Sequence, residues 1–212
     1  EAVSSQMKYF REEFKNLTPI GEHTGGNNRE FAGLFIKEAK FELLDSGQIW
    51  LSETPSKKGS VGWDASLSRS AVWAKLKLRD SESNPFVVFG THFDHRGKEA
   101  RFESAKLLIK HIESLDNRIP VVVMGDLNCE PNSKPMKVFF RGGFSSAIAK
   151  GDGGTFHSFK GNENGSQIDF ILLNEHWSVE SSAILRPRSN GKSASDHDPV
   201  IAKIKEENKL DS

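Results

Sequence analysis

The chain contains 212 residues, of which 36% are hydrophobic and 27% charged, which is typical of one large globular domain and not of a disordered segment. Basic and acidic residues number 29 each, whereas proteins that hold duplex DNA nonspecifically usually carry a basic excess. The charge balance therefore favours a small or single-ended ligand. No apolar run approaches the ~20 residues that span a bilayer. The single cysteine, Cys129, excludes a disulfide within these residues and leaves the compartment undecided.

The chain is predicted to begin with an amphipathic helix over residues 1–14, because apolar residues recur from Val3 to Phe14 at helical spacing. A loop rich in Gly and Asn follows over residues 16–30. Apolar or alternating runs then predict strands at residues 31–36, 48–52, 71–78, 86–91, 121–124, 168–173 and 200–204.

Residues 71–78 alternate between apolar and mostly polar side chains, which predicts a strand with one buried face. Residues 99–115 carry the strongest helical pattern in the chain. A short helix is predicted at 136–140, after Ser133 as a favoured capping residue and Pro135 near the first turn. Many strands and few helices in mixed order favour two sheets packed face to face with helices outside.

Polar residues gather where the predicted strand 121–124 ends. Gly125 is followed by Asp126 and Asn128, whose side chains point to the same side if the backbone stays extended. A carboxylate and an amide at the end of a strand suit a phosphate and a hard cation. The alternative is a plain turn, because Gly, Asp and Asn dominate turns.

The same arrangement recurs at three other strands. His92 follows the apolar run 86–90, Asp169 lies inside the run 168–173, and Asp196 and His197 precede the final strand. Turn formation alone does not explain polar residues at four separate strand ends. An acid flanked by apolar neighbours, as Asp169 is, normally needs a partner.

In this order, Thr-His, Gly-Asp-Leu-Asn, Ile-Asp-Phe and Ser-Asp-His resemble the motifs of the endonuclease/exonuclease/phosphatase superfamily, the metal-dependent phosphodiesterases of the DNase I type. Each short motif alone recurs by chance, whereas the ordered set is specific. The resemblance implies an α/β fold, a four-layer α/β/β/α sandwich, with residues 1–212 forming a single domain. It further implies an active site at one end of the sandwich.

The resemblance also implies roles for individual residues. His197 is the general base or phosphate-polarising imidazole, and Asp169 orients it. His92 donates to a phosphate oxygen, while Asp126 and Asn128 orient the nucleophilic water and the phosphate. Mg²⁺, or Mn²⁺ in its place, takes oxygen ligands, and the metal ligands are assigned to Glu1 and Asp196.

Two arginines are assigned to substrate binding. Arg69 occupies a strand start where relatives place a phosphate-facing Arg, and a guanidinium can fork two phosphate oxygens. Arg96 follows the Thr-His motif. For both side chains the alternative is a solvated surface arginine.

The family's first motif, a strand with an Asn that helps to hold metal and phosphate, does not precede Glu1. We therefore expect an N-terminally truncated domain, which in isolation would expose an unpaired sheet edge. The expected protein is a monomer without a transmembrane segment.

The predicted activity is metal-dependent phosphoester hydrolysis by in-line water attack. The substrate is left open among nucleic acid, nucleotide, sugar phosphate and phospholipid headgroup. One alternative is a catalytically impaired family member that binds a phosphate ligand. Another is an unrelated enzyme that uses His92 and His197 as Zn²⁺ ligands, which no His-x-x-x-His spacing supports.

Overall fold

A computed structural model describes residues 2–79, 82–116, 118–149 and 151–207. Glu1, one of the two expected metal ligands, lies outside the described residues. The described chain contains the helices α1 (Ser4–Glu13), α2 (Lys98–Glu113) and α3 (Lys134–Arg141). Its strands are β1 (Thr18–Ile20), β2 (Leu34–Ile36), β3 (Phe41–Trp50), β4 (Ser70–Leu78), β5 (Phe86–His92), β6 (Val121–Asp126), β7 (Ser145–Ser146), β8 (Asp169–Leu173), β9 (Trp177–Ile184) and β10 (Val200–Glu206).

The largest sheet has six strands in the order β3-β4-β5-β6-β8-β7. Its pairs are antiparallel except β5 and β6, which run parallel. A parallel pair needs a long crossover connection, and α2 lies in the segment that supplies it. Strand β6 forms here because a run of β-branched residues is buried in the sheet.

The helices α2 and α3 cover one face of this sheet. Their apolar side chains pack with Phe89, Val123 and Leu172 in the main hydrophobic cluster. Leu108 of α2 and Phe139 of α3 are fully buried in that cluster. Full burial of such side chains contributes roughly 1.5–3 kcal/mol each, so this face holds the larger part of the core.

The opposite face is covered by two antiparallel pairs, β1-β2 and β9-β10. Leu34 and Ile36 of β2 pack against Val72 on the large sheet, while Ala202 and Ile204 of β10 pack against a separate cluster that includes Leu173. The intervening Phe35 points away, and its ring meets Phe10 of α1 at 6.0 Å between centroids. Helix, sheet, strand pairs and helix thus form four layers, and the expected α/β/β/α sandwich is confirmed.

The structure corrects the expectation for residues 71–78. Val72 and Ala74 of β4 pack toward the strand pairs, but Ala71 and Trp73 also pack against the helix-side cluster. Strand β4 lies inside the sandwich and has buried residues on both faces. Its two lysines, Lys75 and Lys77, lie in the C-terminal half of the strand.

Three strands were absent from the sequence prediction. Strands β1 and β7 have three and two residues, which is too short for periodicity to act as a signal. Strand β9 is half-buried or exposed along its length and carries a Val-Glu-Ser-Ser stretch without regular apolar alternation. Within the described residues, no helix has the length and apolar character needed to cross a membrane.

Candidate active site

Three side chains form a row across neighbouring strands of the large sheet. His92 at the end of β5 is in register with Asp126 at the end of β6, and Asp126 is in register with Asp169 at the start of β8. This register explains why polar residues at distant positions meet, because the three strands reach the same edge at the same level. His92, Asp126, Asp169 and His197 all line one cavity of about 500 Å³.

His197 joins the row through a hydrogen bond. Its Nδ1 lies 2.8 Å from Asp169 Oδ2, and an ionised carboxylate can only accept, so Nδ1 carries the proton. The opposite nitrogen, Nε2, lies 4.0 Å from Asp126 Oδ2. The carboxylate therefore fixes the ring orientation and leaves the Nε2 lone pair directed toward the cavity side of Asp126.

The loop that carries His197 is fastened by the next residue. Asp198 is only 2% exposed and accepts hydrogen bonds from Arg186 Nη1 at 2.5 Å and Arg188 Nη1 at 2.7 Å. The hydrogen bonds from Arg188 and then Arg186 hold the pKa of Asp198 below its usual value. Two guanidiniums on one buried carboxylate thus fix the backbone on which His197 stands.

A buried threonine ties this loop to the strand of Asp169. Thr155 accepts the amide of Asp198 through its carbonyl oxygen at 2.7 Å. Its hydroxyl accepts the amides of Ile168 and Asp169, both at 3.1 Å. Through its carbonyl oxygen and its hydroxyl, Thr155 thereby links the segments that carry the two members of the His197–Asp169 pair.

Asp126 is the central carboxylate of the row. Burial raises the pKa of Asp126 to about 6, and the negative charge of Asp169 acts in the same direction. His92 Nε2 lies 3.5 Å from Asp126 Oδ2 on one side, and His197 Nε2 approaches the same oxygen from the other. The site therefore concentrates negative charge on two carboxylates between two imidazoles.

Asn128 meets Asp126 through a turn. Its backbone has φ 47°, in the left-handed region, and is not extended as the sequence argument assumed. The Asn128 amide donates to Asp126 Oδ1 at 2.7 Å, and its side-chain Nδ2 donates to Asp126 Oδ2 at 3.1 Å. Gly125 has φ 140°, and an added Cβ would collide with the Thr91 carbonyl oxygen. The turn and the site interpretations of this motif therefore both apply.

Sequence reasoning missed Glu30. Its Oε2 lies 2.7 Å from Arg69 Nη1 and 3.1 Å from His92 Nδ1. The hydrogen bond with His92 lowers the pKa of Glu30 to about 2, against the opposing effect of burial and with the charge of Arg69 acting in the same direction. The only signal was an acid at the end of a Gly-rich loop, because both partners lie far along the chain.

Arg69 is buried behind His92 and does not line the cavity. Its Nη1 lies 2.7 Å from His92 Nδ1, and its Nη2 lies 3.3 Å from His95 Nδ1. Its Nε is 3.8 Å from a carboxylate oxygen of Asp94. With its side chain 4% exposed, Arg69 is neither a solvated arginine nor a phosphate-facing one in this structure.

Asp94 organises the loop after β5. Although burial raises its pKa, hydrogen bonds from the backbone amides of Gly97 and Arg96 hold that pKa well below the usual range. The Arg96 side chain is exposed on this loop and is absent from the lining of the cavity. The loop is therefore shaped by Asp94 while Arg96 stays in solvent.

Asp126, Asp169 and His197 could hold a metal ion, since their potential ligand atoms lie within 4.8 Å of one another. The donor set suits a hard divalent cation, which needs oxygen ligands and often uses one or two carboxylates. Such a cation would also offset the repulsion between the two carboxylates. Asp196, the other expected ligand, is half-buried beside His197 and does not line the cavity.

Comparisons with known proteins find relatives of this chain. A model of the Endonuclease/Exonuclease/phosphatase family matches residues 24–197. The crystal structure of an endonuclease/exonuclease/phosphatase from Bacteroides vulgatus is 32% identical with a TM-score of 0.89, and the match covers 98% of this chain and 83% of that one.

Two relatives carry more specific names. The mannosyl-6-phosphatase from Bacteroides thetaiotaomicron is 29% identical with a TM-score of 0.86, and the match covers 95% of this chain and 81% of that one. Nocturnin from Rattus norvegicus is 26% identical over 129 residues, which are 59% of this chain and 28% of that protein. The matched part is thus less than a third of nocturnin.

Proposed function

Because the chain belongs to the endonuclease/exonuclease/phosphatase family, we propose that it is a divalent-metal-dependent phosphoester hydrolase acting by in-line attack of water. The observation that carries the proposal is the His197–Asp169 pair, in which His197 Nε2 faces the central carboxylate of the cavity. Such a pair is the usual arrangement for a positioned imidazole base.

His197 takes the proton of the attacking water at Nε2, since Nδ1 is committed to Asp169. Asp169 stabilises the imidazolium that forms, because an adjacent negative charge favours the protonated ring. Asp126 orients the water, and Asn128 holds Asp126 through two hydrogen bonds. His92 lies across Asp126 from His197 and donates to a phosphoryl oxygen.

Asp126 and Asp169 would hold the metal. Of the two ligands that the family resemblance assigns, Asp196 does not line this cavity and Glu1 lies outside the described residues, so neither is part of this proposed set. A bound Mg²⁺ or Mn²⁺ supplies Lewis-acid stabilisation of the charge that develops on the phosphoryl oxygens. Since a hard cation prefers oxygen to imidazole, His197 remains available for proton transfer.

A small phosphoester is the proposed substrate, in preference to duplex DNA. The chain carries no basic excess, and charge neutralisation of the phosphate backbone dominates nonspecific DNA affinity. The mannosyl-6-phosphatase is among the similar solved structures, which makes sugar phosphates the first class to test.

The test is hydrolysis by the purified protein of mannose 6-phosphate, of bis(p-nitrophenyl) phosphate and of single-stranded oligonucleotide. Each substrate is measured with Mg²⁺, Mn²⁺, Zn²⁺ and excess chelator. The proposal expects turnover that Mg²⁺ or Mn²⁺ supports and chelator abolishes. Full activity in chelator overturns the metal requirement, and binding of these esters without turnover supports the impaired binding module.

A further inference from the structure

A second cavity lies at the same end of the large sheet, on the side of the helices. Its volume is about 470 Å³, and three cationic side chains line it, Lys98 and Arg101 of α2 and Lys134 of α3. We call this the basic cavity. Among the described residues that line it, one carboxylate is present, Glu130. The side chains that line the basic cavity therefore carry an excess of positive charge, although the net charge of the whole chain is zero.

The other polar groups do not cancel this charge. Burial raises the pKa of Cys129 to about 11, so the thiol in the wall stays neutral. Lys98 and Lys134 are exposed, and no carboxylate of the described residues forms an ion pair with either. Arg101 is held in place because its Nη1 donates to the Asp94 carbonyl oxygen at 2.7 Å.

Side chains, and not helix termini, make this cavity suitable for an anion. The amides of Glu99 and Ala100 in the first turn of α2 already donate to Asp64, at 3.2 and 2.7 Å. Those amides are therefore unavailable to a ligand. What remains is a set of cations that line one cavity from two helices, and such side chains recognise phosphate.

The basic cavity adjoins the active site at two points. Asn128 lines the basic cavity and donates from Nδ2 to Asp126 Oδ2 at 3.1 Å. Ile168 lines it too and directly precedes Asp169 of the catalytic row. Adjacent residues are about 3.8 Å apart between Cα atoms. The two cavities therefore meet at the end of the sheet, and a substrate that contacts both would cross it beside Asn128 and Ile168.

We infer that the basic cavity is a subsite for a second phosphate group on the substrate of the neighbouring active site. This inference rests on the proposed phosphoester hydrolysis and narrows its substrate class to phosphoesters that carry an additional phosphate, such as sugar bisphosphates. Phe102 supplies an apolar wall beside the cations for the carbon skeleton that joins the two phosphates.

The test compares the double variant Lys98→Ala/Lys134→Ala with Lys137→Ala. Lys137 is an exposed lysine of the same helix α3 that does not line the basic cavity, so it controls for the loss of surface charge. The first measurement is the Kd of inorganic pyrophosphate in EDTA, by calorimetry. The second is the ratio of kcat/KM for glucose 1,6-bisphosphate to that for glucose 6-phosphate.

We expect the double variant to weaken pyrophosphate binding about tenfold, as the loss of two charge-assisted contacts from exposed lysines predicts. The bisphosphate preference should fall by a similar factor, while Lys137→Ala changes neither quantity more than about twofold. Equal effects of both variants, no effect of either, or no pyrophosphate binding by the unaltered protein would each overturn the subsite. Absence of hydrolysis of every ester overturns the proposed function instead, because pyrophosphate binding in EDTA is read independently.

Discussion

Two imidazole–carboxylate pairs flank Asp126, and they differ in what surrounds the carboxylate. In the His197–Asp169 pair, Nδ1 and Oδ2 are 2.8 Å apart, and both side chains are about a fifth exposed. In the His92–Glu30 pair the corresponding distance is 3.1 Å, and Arg69 Nη1 comes closer to the same ring nitrogen, at 2.7 Å. In the first pair, His197 Nδ1 donates to Asp169. In the second pair, His92 Nδ1 lies within hydrogen-bond distance of both Glu30 and the buried guanidinium of Arg69.

This difference separates two tasks for the same residue types. His197 Nδ1 donates its proton to Asp169 Oδ2, so Nε2 is the ring nitrogen that is directed toward Asp126. In the other pair, Glu30 favours a proton on His92 Nδ1 whereas Arg69, which can only donate, favours a bare nitrogen. The His197 pair is suited to proton transfer and the His92 pair to holding a fixed donor.

The largest effect is expected from Asp169→Asn. The amide matches the carboxylate in size, so the fold should remain, but it can offer the ring the wrong hydrogen-bonding partner. In the Ser-His-Asp triad of serine proteases, the corresponding Asp→Asn change lowers turnover about 10⁴-fold. We expect a drop on the order of 10²–10³, because the proposed metal would carry part of the transition-state charge. Steady-state kinetics on a substrate identified as above measures it, and near-normal turnover would make Asp169 a structural acid only.

Glu30→Gln should act mainly on stability. It removes the charge that partners buried Arg69, and breaking a buried pair costs several kcal/mol, reduced here to about 2 kcal/mol because Glu30 is a quarter exposed. Urea unfolding of the metal-free protein measures the change. If turnover falls as far as in Asp169→Asn while stability is unchanged, the division between the two pairs is wrong.

The same carboxylate predicts a pH dependence. The folded-state pKa of Glu30 is about 2, below its ordinary value of 4.5, so its contribution to stability is fully present above pH 4.5 and is lost as the pH falls toward 2. The difference in unfolding free energy between the protein and Glu30→Gln should therefore be constant from pH 5 to pH 7 and should shrink at pH 3. A difference that grows on acidification would contradict the assigned shift.

The smallest effect is expected from Asp198→Asn. The buried carboxylate anchors the loop of His197 through Arg186 and Arg188, but both guanidiniums are partly exposed, so water can replace the lost partner. We expect about 1 kcal/mol of stability to be lost and kcat to fall severalfold with KM nearly unchanged. An increase in KM with kcat unchanged would show that Asp198 acts on substrate binding and not on the position of His197.

The sequence predicted the row of His92, Asp126 and Asp169 because each lies at the end of an apolar strand, where local patterning is informative. It could not predict Glu30, whose partners are 39 and 62 positions away and whose own surroundings are a Gly-rich loop. Nor could it predict the left-handed backbone of Asn128, because Asn is accepted in both extended and turn conformations. Strand β9 was missed because it exposes most of its side chains and carries no period.

The parallel pairing of β5 with β6 also has a kinetic consequence. His92 and Asp126 are neighbours only through this pairing, across a connection that contains all of α2. Contacts between such distant positions raise the contact order and form slowly, because the entropy of loop closure is lost before the strand pairing stabilises the fold. Helix α2 can form early from local contacts, but the row of His92, Asp126 and Asp169 is complete only once the sheet is assembled. During refolding, the proposed phosphoesterase activity should therefore return with the slowest sheet-forming phase and lag behind the recovery of helical signal.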